Sequence, residues 1–223
     1  MNSRKIIYLS IIIFLNLNYY GLFAQKIHLG IKGDFSLCSQ TGKLNVLEKQ
    51  DFIVQPALGV YLQESLSKHW FLQQEIIYGS RGVKYSLETN SEVDTSDLKL
   101  VENGTRTSSY LDVPILLGYK AGKFSAFVGG QASFLLAAKL QRNFTFTYTH
   151  PNAGQEIIRS SDENDKKDNY TPFQYGIIGG IGFEVRPKFT LGARYYYGIS
   201  PLYKGEVRVS QQAIMLGASF QIL

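Results

Sequence analysis

The stretch at residues 173–185 reads FQYGIIGGIGFEV, and its side chains change in kind at every second position. The odd positions carry Phe, Tyr, Ile and Val apart from one glycine, whereas the even positions carry mostly Gly, Gln and Glu. A repeat of two residues is the period of a β-strand, whose successive side chains point to opposite faces. This stretch therefore predicts a strand with one apolar, aromatic face and one small or polar face.

Seven further segments show the same alternation. They are residues 27–35, 54–66, 70–85, 111–119, 124–136, 189–197 and 214–222. After the first 25 residues, the sequence contains no convincing helical pattern and no apolar run long enough for a transmembrane helix. The sequence thus predicts an all-β domain with eight strands, an even number as in single-chain bacterial barrels.

The connections between these segments alternate strictly between short and long. The short connections are residues 67–69, 121–123 and 186–188, and the long polar connections are residues 37–51, 86–107, 137–171 and 200–211. Transmembrane barrels have short periplasmic turns and long extracellular loops. The pattern predicts a transmembrane antiparallel up-and-down β-barrel of about eight strands. The fold-level alternative is a soluble lipocalin-like barrel, whose apolar face would point inward.

Aromatic residues on the apolar face favour the membrane barrel. One set lies beside the short turns: Trp70, Tyr119, Phe124, Phe183 and Phe189. The other set lies toward the long loops: Tyr78, Phe134, Phe173, Tyr175, Tyr195 and Tyr197. Outer-membrane barrels carry aromatic girdles at both interfaces, because Tyr and Trp join an apolar body to a polar tip. We therefore predict that these two rings contact outer-membrane lipid.

The N-terminal region predicts export. Arg4 and Lys5 precede an apolar run, and Ala24 offers a small residue for cleavage. This order is typical of a signal peptide, here residues 1–25, and it leaves residues 26–223 as the barrel domain in the outer membrane. The alternative is a single transmembrane anchor. Removing the leader lowers the formal net charge from +5 to +3, which is too small to indicate a nucleic-acid partner.

Several segments resemble the PorT-like outer-membrane β-barrel family. Residues 110–119, YLDVPILLGY, resemble the family's fourth-strand signature, and residues 72–82, 176–185 and 217–223 are also similar. The resemblance implies a small eight-stranded barrel in the outer membrane, and it does not imply one function. Many such barrels end in an aromatic residue recognised by the barrel-assembly machinery. This chain ends in Leu223, although its final residues fit the looser spacing of that signal.

Six charged residues have the parity of the inward face: Lys32, Asp34, Glu75, Asp112, Glu184 and Arg194. An eight-stranded barrel is just wide enough for side chains to fill it, and an isolated buried charge is very unfavourable. We therefore expect these charges to pair and to hold the lumen closed. The alternative is a narrow or gated ion path lined by the same groups.

Three details depart from the regular pattern. Gln74 has the parity of the lipid-facing side. Pro56 and Pro114 lie within predicted strands, where the missing N–H breaks a ladder hydrogen bond. We expect a bulge or a local irregularity near both prolines.

The sequence offers no catalytic, cofactor or metal site. His28, His69 and His150 have no Ser or carboxylate at a spacing that resembles known outer-membrane enzymes, and residues 160–169 lack the Gly and terminal Glu of a calcium loop.

We expect a barrel with a packed lumen and a structural or interaction role through its extracellular loops, including a protein or ligand partner there. Residues 155–168 are predicted to be a flexible loop tip. The alternatives are a small porin-like channel and, more remotely, a lipid-modifying enzyme.

Overall fold

The computed structural model describes residues 26–42, 48–93, 96–150, 154–165, 167–204 and 209–223. The predicted signal peptide at residues 1–25 lies outside these ranges and stays a prediction. The described strands are β1 (Ile27–Thr41), β2 (Glu48–Asp51), β3 (Ile53–Ser65), β4 (Trp70–Val93), β5 (Ser96–Ala121), β6 (Phe124–His150), β7 (Gly154–Asp165), β8 (Phe173–Arg186), β9 (Phe189–Gly198) and β10 (Ser210–Gln221). In these ranges the structure contains no helix suited to spanning a bilayer.

Eight of these strands form a closed ring. Strand β1 pairs with β3, and the pairing continues through β4, β5, β6, β8, β9 and β10 back to β1. Every pairing is antiparallel, and the spatial order follows the chain order except for β2 and β7. The predicted up-and-down barrel of eight strands is therefore confirmed.

The short connections lie together at one end of the barrel. At the turn between β5 and β6, Gly122 has φ of 61°, and at the turn between β8 and β9, Lys188 has φ of 72°. Glycine adopts this left-handed conformation without strain, whereas a lysine does not. In the turn before β4, the Ser67 hydroxyl accepts hydrogen bonds from the backbone N–H groups of His69 and Trp70.

Three of the four long connections are largely strand rather than loop, which corrects the sequence interpretation, whereas the described part of residues 200–211 is strand only from Ser210. Strands β4 and β5 stay paired as far as Val93 and Ser96, and β6 continues to His150. Strand β7 pairs back onto β6, so most of the predicted flexible tip at residues 155–168 is a registered strand. Strand β2 adds to the other side of β4.

These segments form a five-stranded sheet above the barrel, in the order β2, β4, β5, β6 and β7. We call it the extracellular sheet, and it comprises residues 48–51, 84–93, 96–105, 139–150 and 154–165. Polar residues on both faces of these segments concealed their strand period in the sequence.

Both prolines lie where the ladder changes. Between β4 and β5, the register runs from Gln74↔Ile115 to Ile77↔Asp112 with no pair in between, and Pro114 lies in that gap. The β3–β4 ladder begins at Ala57, directly after Pro56. The local irregularities predicted at these two positions are therefore present.

The outer surface of the ring is apolar. The following aliphatic side chains are exposed on it: Leu58, Val60, Ile115, Leu117, Val128, Ile177, Ile181, Leu191, Ile214 and Leu216. A continuous exposed apolar surface of this kind is typical of a face that contacts lipid rather than water.

Nine of the eleven predicted girdle residues are exposed on the same surface, and Phe134 and Phe189 are half-buried. Neighbouring strands place them side by side, with ring centroids 5.3 Å apart for Trp70 and Tyr119 and 4.8 Å apart for Phe124 and Phe183. These two cross-strand pairs lie beside the periplasmic turns.

Candidate functional site

Four charged side chains meet at mid-height in the lumen. Lys32 and Asp34 project from β1, Glu75 from β4 and Arg194 from β9. Arg194 Nη1 donates to Glu75 Oε2 at 2.7 Å, and Arg194 Nη2 donates to Asp34 Oδ2 at 2.5 Å. Lys32 Nζ donates to Glu75 Oε1 at 3.1 Å. We call these four residues the charge quartet.

The charge quartet bridges the lumen. Strands β9 and β4 lie on opposite sides of the eight-stranded ring, so the Arg194–Glu75 ion pair crosses the full width of the barrel. The exposed fraction of the Arg194 side chain is 3%, and that of the Glu75 side chain is 0%. Two positive and two negative groups balance here, as buried charges require.

A second polar layer lies closer to the extracellular end. Arg81 on β4 donates through Nη2 to Asp112 Oδ1 at 2.6 Å and to Ser133 Oγ at 3.0 Å. Its guanidinium carbon lies 4.2 Å from the ring centroid of Tyr110 and 4.8 Å from that of Tyr196. Cation–π contacts of this kind stabilise a desolvated guanidinium. We call this group the Arg81 layer.

Sequence reasoning missed Arg81. It lies six residues after Glu75 and therefore has the same inward parity on β4. Extending the alternation through residues 75, 77, 79 and 81 would have found it.

The extracellular end of the lumen is closed by packed apolar residues. A buried cluster lies above the Arg81 layer and consists of Tyr110, Leu135, Ala138, Tyr170, Leu202 and Val209. Between the charge quartet and the Arg81 layer, the cavity measures only about 20 Å³. That volume holds about one water molecule. The described residues therefore leave no wide passage through this half of the barrel.

The periplasmic half of the lumen is open. A cavity of about 280 Å³ extends from the charge quartet to the periplasmic turns. We call it the periplasmic vestibule. Glu184 lies in its wall and pairs with Lys120 at 2.5 Å. The six predicted lumen charges thus do not form one cluster, because Asp112 belongs to the Arg81 layer and Glu184 to the vestibule.

The histidines lie apart from one another. His28 Nδ1 lies 2.8 Å from Gln221 Nε2 beside the vestibule, and the His69 ring stacks on Tyr119 at the periplasmic turns. His150 ends β6 at the opposite end of the barrel. In the part of the chain that the structure describes, no group of three or more His, Cys, Asp or Glu side chains could hold a metal ion.

Gln74 has the outward parity expected from the sequence, yet it is buried. Its Nε2 donates to Glu64 Oε1 at 3.4 Å, and both side chains belong to the outward positions of β4 and β3. The pair satisfies one polar atom of each side chain at a surface that is otherwise apolar.

The inner face of the extracellular sheet carries both aromatic and charged side chains. Tyr85 lies against the guanidinium of Arg106 at 3.8 Å and donates a hydrogen bond to Glu102 Oε1 at 2.7 Å. Burial and the neighbouring Glu102 raise the pKa of Tyr85 above its usual value. Phe144 and Phe146 stack farther along β6, and Arg142 bonds to Asp162 of β7.

A closed β-ring with an apolar, aromatic-belted outer surface and polar side chains in its lumen defines a small transmembrane barrel of the outer membrane. Residues 3–204 match the family model described as outer membrane protein beta-barrel domain. The chain belongs to this outer-membrane β-barrel family, and it is a protein of the outer membrane. No curated protein matches the chain.

Solved structures of other small barrels are similar to this chain. The attachment invasion locus protein Ail of Yersinia pestis is 13% identical over 90% of this chain and 100% of its own, with a TM-score of 0.41. Neisserial surface protein A is 11% identical with the same coverages and the same TM-score. OprG of Pseudomonas aeruginosa is 15% identical over 89% of this chain and 95% of its own, with a TM-score of 0.36. Likeness at this level supports no conclusion about function.

Proposed function

We propose that this protein is a non-conducting outer-membrane barrel that acts through its extracellular sheet as an interaction surface. The observation that carries the proposal is the closed lumen. The charge quartet, the Arg81 layer and the apolar cluster lie one above another between the periplasmic vestibule and the outside. A barrel that is filled in this way serves as a rigid support for the parts outside the membrane.

The extracellular sheet offers a surface for a partner. Among the described strands, β7 pairs only with β6, so it is an edge strand. Ile157 and Ile158 are exposed on its two faces. Edge strands with exposed apolar residues are sites where another chain can add by backbone pairing. These features support an interaction role.

Planar-bilayer conductance tests the closed lumen. Refolded protein is first checked for the gel-mobility shift on heating that intact barrels show. We expect no discrete channels across many incorporations. Reproducible channels whose conductance changes when Arg194 or Glu184 is neutralised would refute this proposal. They would indicate a pore lined by those groups.

Site-specific photo-crosslinking tests the interaction surface. A photoreactive residue at position 157 or 158 is compared in intact cells with one at Leu58, which lies on the lipid-facing surface. We expect discrete protein adducts at the β7 positions and none at Leu58. If the photoreactive residue forms adducts with lipid alone at all three positions, an interaction role is refuted.

The second candidate is a small channel for ions or small solutes, and the vestibule favours it. About 280 Å³ of open space already reaches the charge quartet from the periplasm. Conduction would require Arg194 to leave both of its carboxylate partners and the Arg81 layer to open as well. The two coupled barriers favour the non-conducting function.

We also propose the PorT-like assignment within the family, on the residue resemblance at 110–119 and 72–82. In this proposal the barrel is exported through the signal peptide at residues 1–25 and inserted by the barrel-assembly machinery. N-terminal sequencing of the protein purified from outer membranes tests the cleavage. A mature chain that retains Arg4 and Lys5 would refute it.

A further inference from the structure

The periplasmic vestibule is a polar pocket with a closed roof. Its roof is the charge quartet, and its walls include Gln63, Gln73 and Ser125. Its volume of about 280 Å³ lies at the small end of the roughly 300–1,000 Å³ usual for ligand pockets. The pocket opens toward the turns that hold Lys123 and Lys188. A molecule that enters from the periplasm would bind there rather than pass through.

Positive charge exceeds negative charge around this pocket. Five Lys or Arg residues line it against two acidic residues. Glu75 does not itself line the pocket, but it belongs to the charge quartet. The quartet is therefore neutral, because Lys32 and Arg194 balance Asp34 and Glu75. Lys120, Lys123 and Lys188 then remain against Glu184 alone, an excess of two positive charges.

The excess lies at the mouth of the pocket, where Lys123 and Lys188 are exposed on the turns. An excess of one sign of charge at a cleft raises the local concentration of counter-ions. Glu184 is engaged by Lys120 at 2.5 Å, whereas Lys188 Nζ donates to the backbone oxygen of Ile222 at 3.3 Å. The Lys188 ammonium has three N–H donors and uses one of them in this bond. The other two are available to an anion.

We propose that the periplasmic vestibule binds a phosphate group, with Lys123 and Lys188 as its principal ligands. A phosphate monoester carries about 1.5 to 2 negative charges near neutral pH and therefore matches the excess of the pocket. Lysine binds phosphate as a point charge, and the side-chain amide of Gln63 in the wall supplies further donors, whereas Ser125 Oγ already donates to the backbone oxygen of Gly182. The phosphate belongs either to a soluble periplasmic molecule or to a lipid headgroup of the inner leaflet.

Calorimetry on the barrel purified from outer membranes in a neutral detergent tests this site. The two probes are glycerol 3-phosphate and dihexanoylphosphatidic acid, both of which carry a phosphate monoester. We expect one saturable site per barrel that weakens as salt increases. Lys123→Gln combined with Lys188→Gln should weaken binding about tenfold, because two charge-assisted contacts are lost. The matched control combines Lys84→Gln and Lys99→Gln in the extracellular sheet and should leave affinity within about twofold.

A gain-of-affinity variant makes the test independent of damage to the barrel. Glu184→Gln removes the acidic group of the rim and should strengthen binding. Every variant is checked for its heat-dependent gel mobility, and if the double lysine variant fails to fold, the Glu184→Gln result decides. Binding of glycerol 3-phosphate identifies a soluble source, and binding of the short-chain lipid alone identifies a headgroup. No saturable binding of either probe, equal weakening in the control, or unchanged affinity in Glu184→Gln overturns the proposal.

Discussion

Arg194→Met should destabilise the barrel more than any single charge removal at its rim. The guanidinium bridges Glu75 and Asp34 at 2.7 and 2.5 Å, and these carboxylates are 0% and 6% exposed. Methionine keeps much of the side-chain length but removes both ion pairs. Two buried carboxylates would then share one cation, Lys32, which lies 3.1 Å from Glu75 and 3.9 Å from Asp34.

The expected loss of stability follows from the burial of these two carboxylates. Removing one partner of a buried ion pair costs about 3–5 kcal/mol, because it leaves an uncompensated charge. Lys32 compensates part of the charge, so we expect a decrease in the free energy of unfolding of about 3 kcal/mol. The matched control is Lys120→Met, whose pair with Glu184 is 46% and 29% exposed. An exposed pair contributes at most about 1 kcal/mol.

Urea unfolding of the barrel in phospholipid vesicles measures both variants. Trp70 is the single tryptophan and lies on the lipid-facing surface, so its emission reports on folding. The double variant Arg194→Met with Glu75→Gln restores charge balance and should recover part of the lost stability. A loss below about 1 kcal/mol for Arg194→Met, or one equal to that of Lys120→Met, would refute the argument that the quartet is desolvated and coupled.

Three further predictions concern the backbone and the extracellular sheet. Gly118→Ala should destabilise the barrel by about 1–3 kcal/mol, because its Cβ would meet the Phe71 ring at 2.0 Å, whereas Gly130→Ala has open space and should be neutral by the same urea assay. Lys188→Gly should raise stability by up to about 1 kcal/mol by relieving the left-handed backbone at φ of 72°, and an unchanged or lower midpoint would contradict this. Deleting residues 155–168 should leave the heat-dependent gel mobility intact, since β7 lies outside the closed ring, and loss of that mobility would show that β7 is needed for folding.

The fold could be predicted from the sequence because a membrane barrel repeats one physical constraint on every strand. Each strand crosses the same lipid band, so residues such as Ile177 and Leu216 alternate with polar or small ones. The alternation places Glu75 and Arg194 inside and Trp70 outside without knowledge of any contact.

The extended strands could not be predicted in the same way. Above the membrane, neither face of β4, β5 or β6 contacts lipid, so the alternation that marks the barrel strands weakens there. Strand β7 is defined by backbone pairing with β6, and pairing is a long-range property that local patterns do not contain.

The sequence by itself determined that Lys32, Asp34, Glu75 and Arg194 face inward, because side-chain parity depends only on position along a strand. Only the tertiary structure decided which charges meet. Ring closure brings β9 opposite β4 and thereby places Arg194 against Glu75, 119 residues apart in the chain. The stagger of the strands leaves Glu184 with Lys120 at the rim. Height within a barrel depends on the register of all eight strands together, and that register is set by pairing and packing rather than by any one segment.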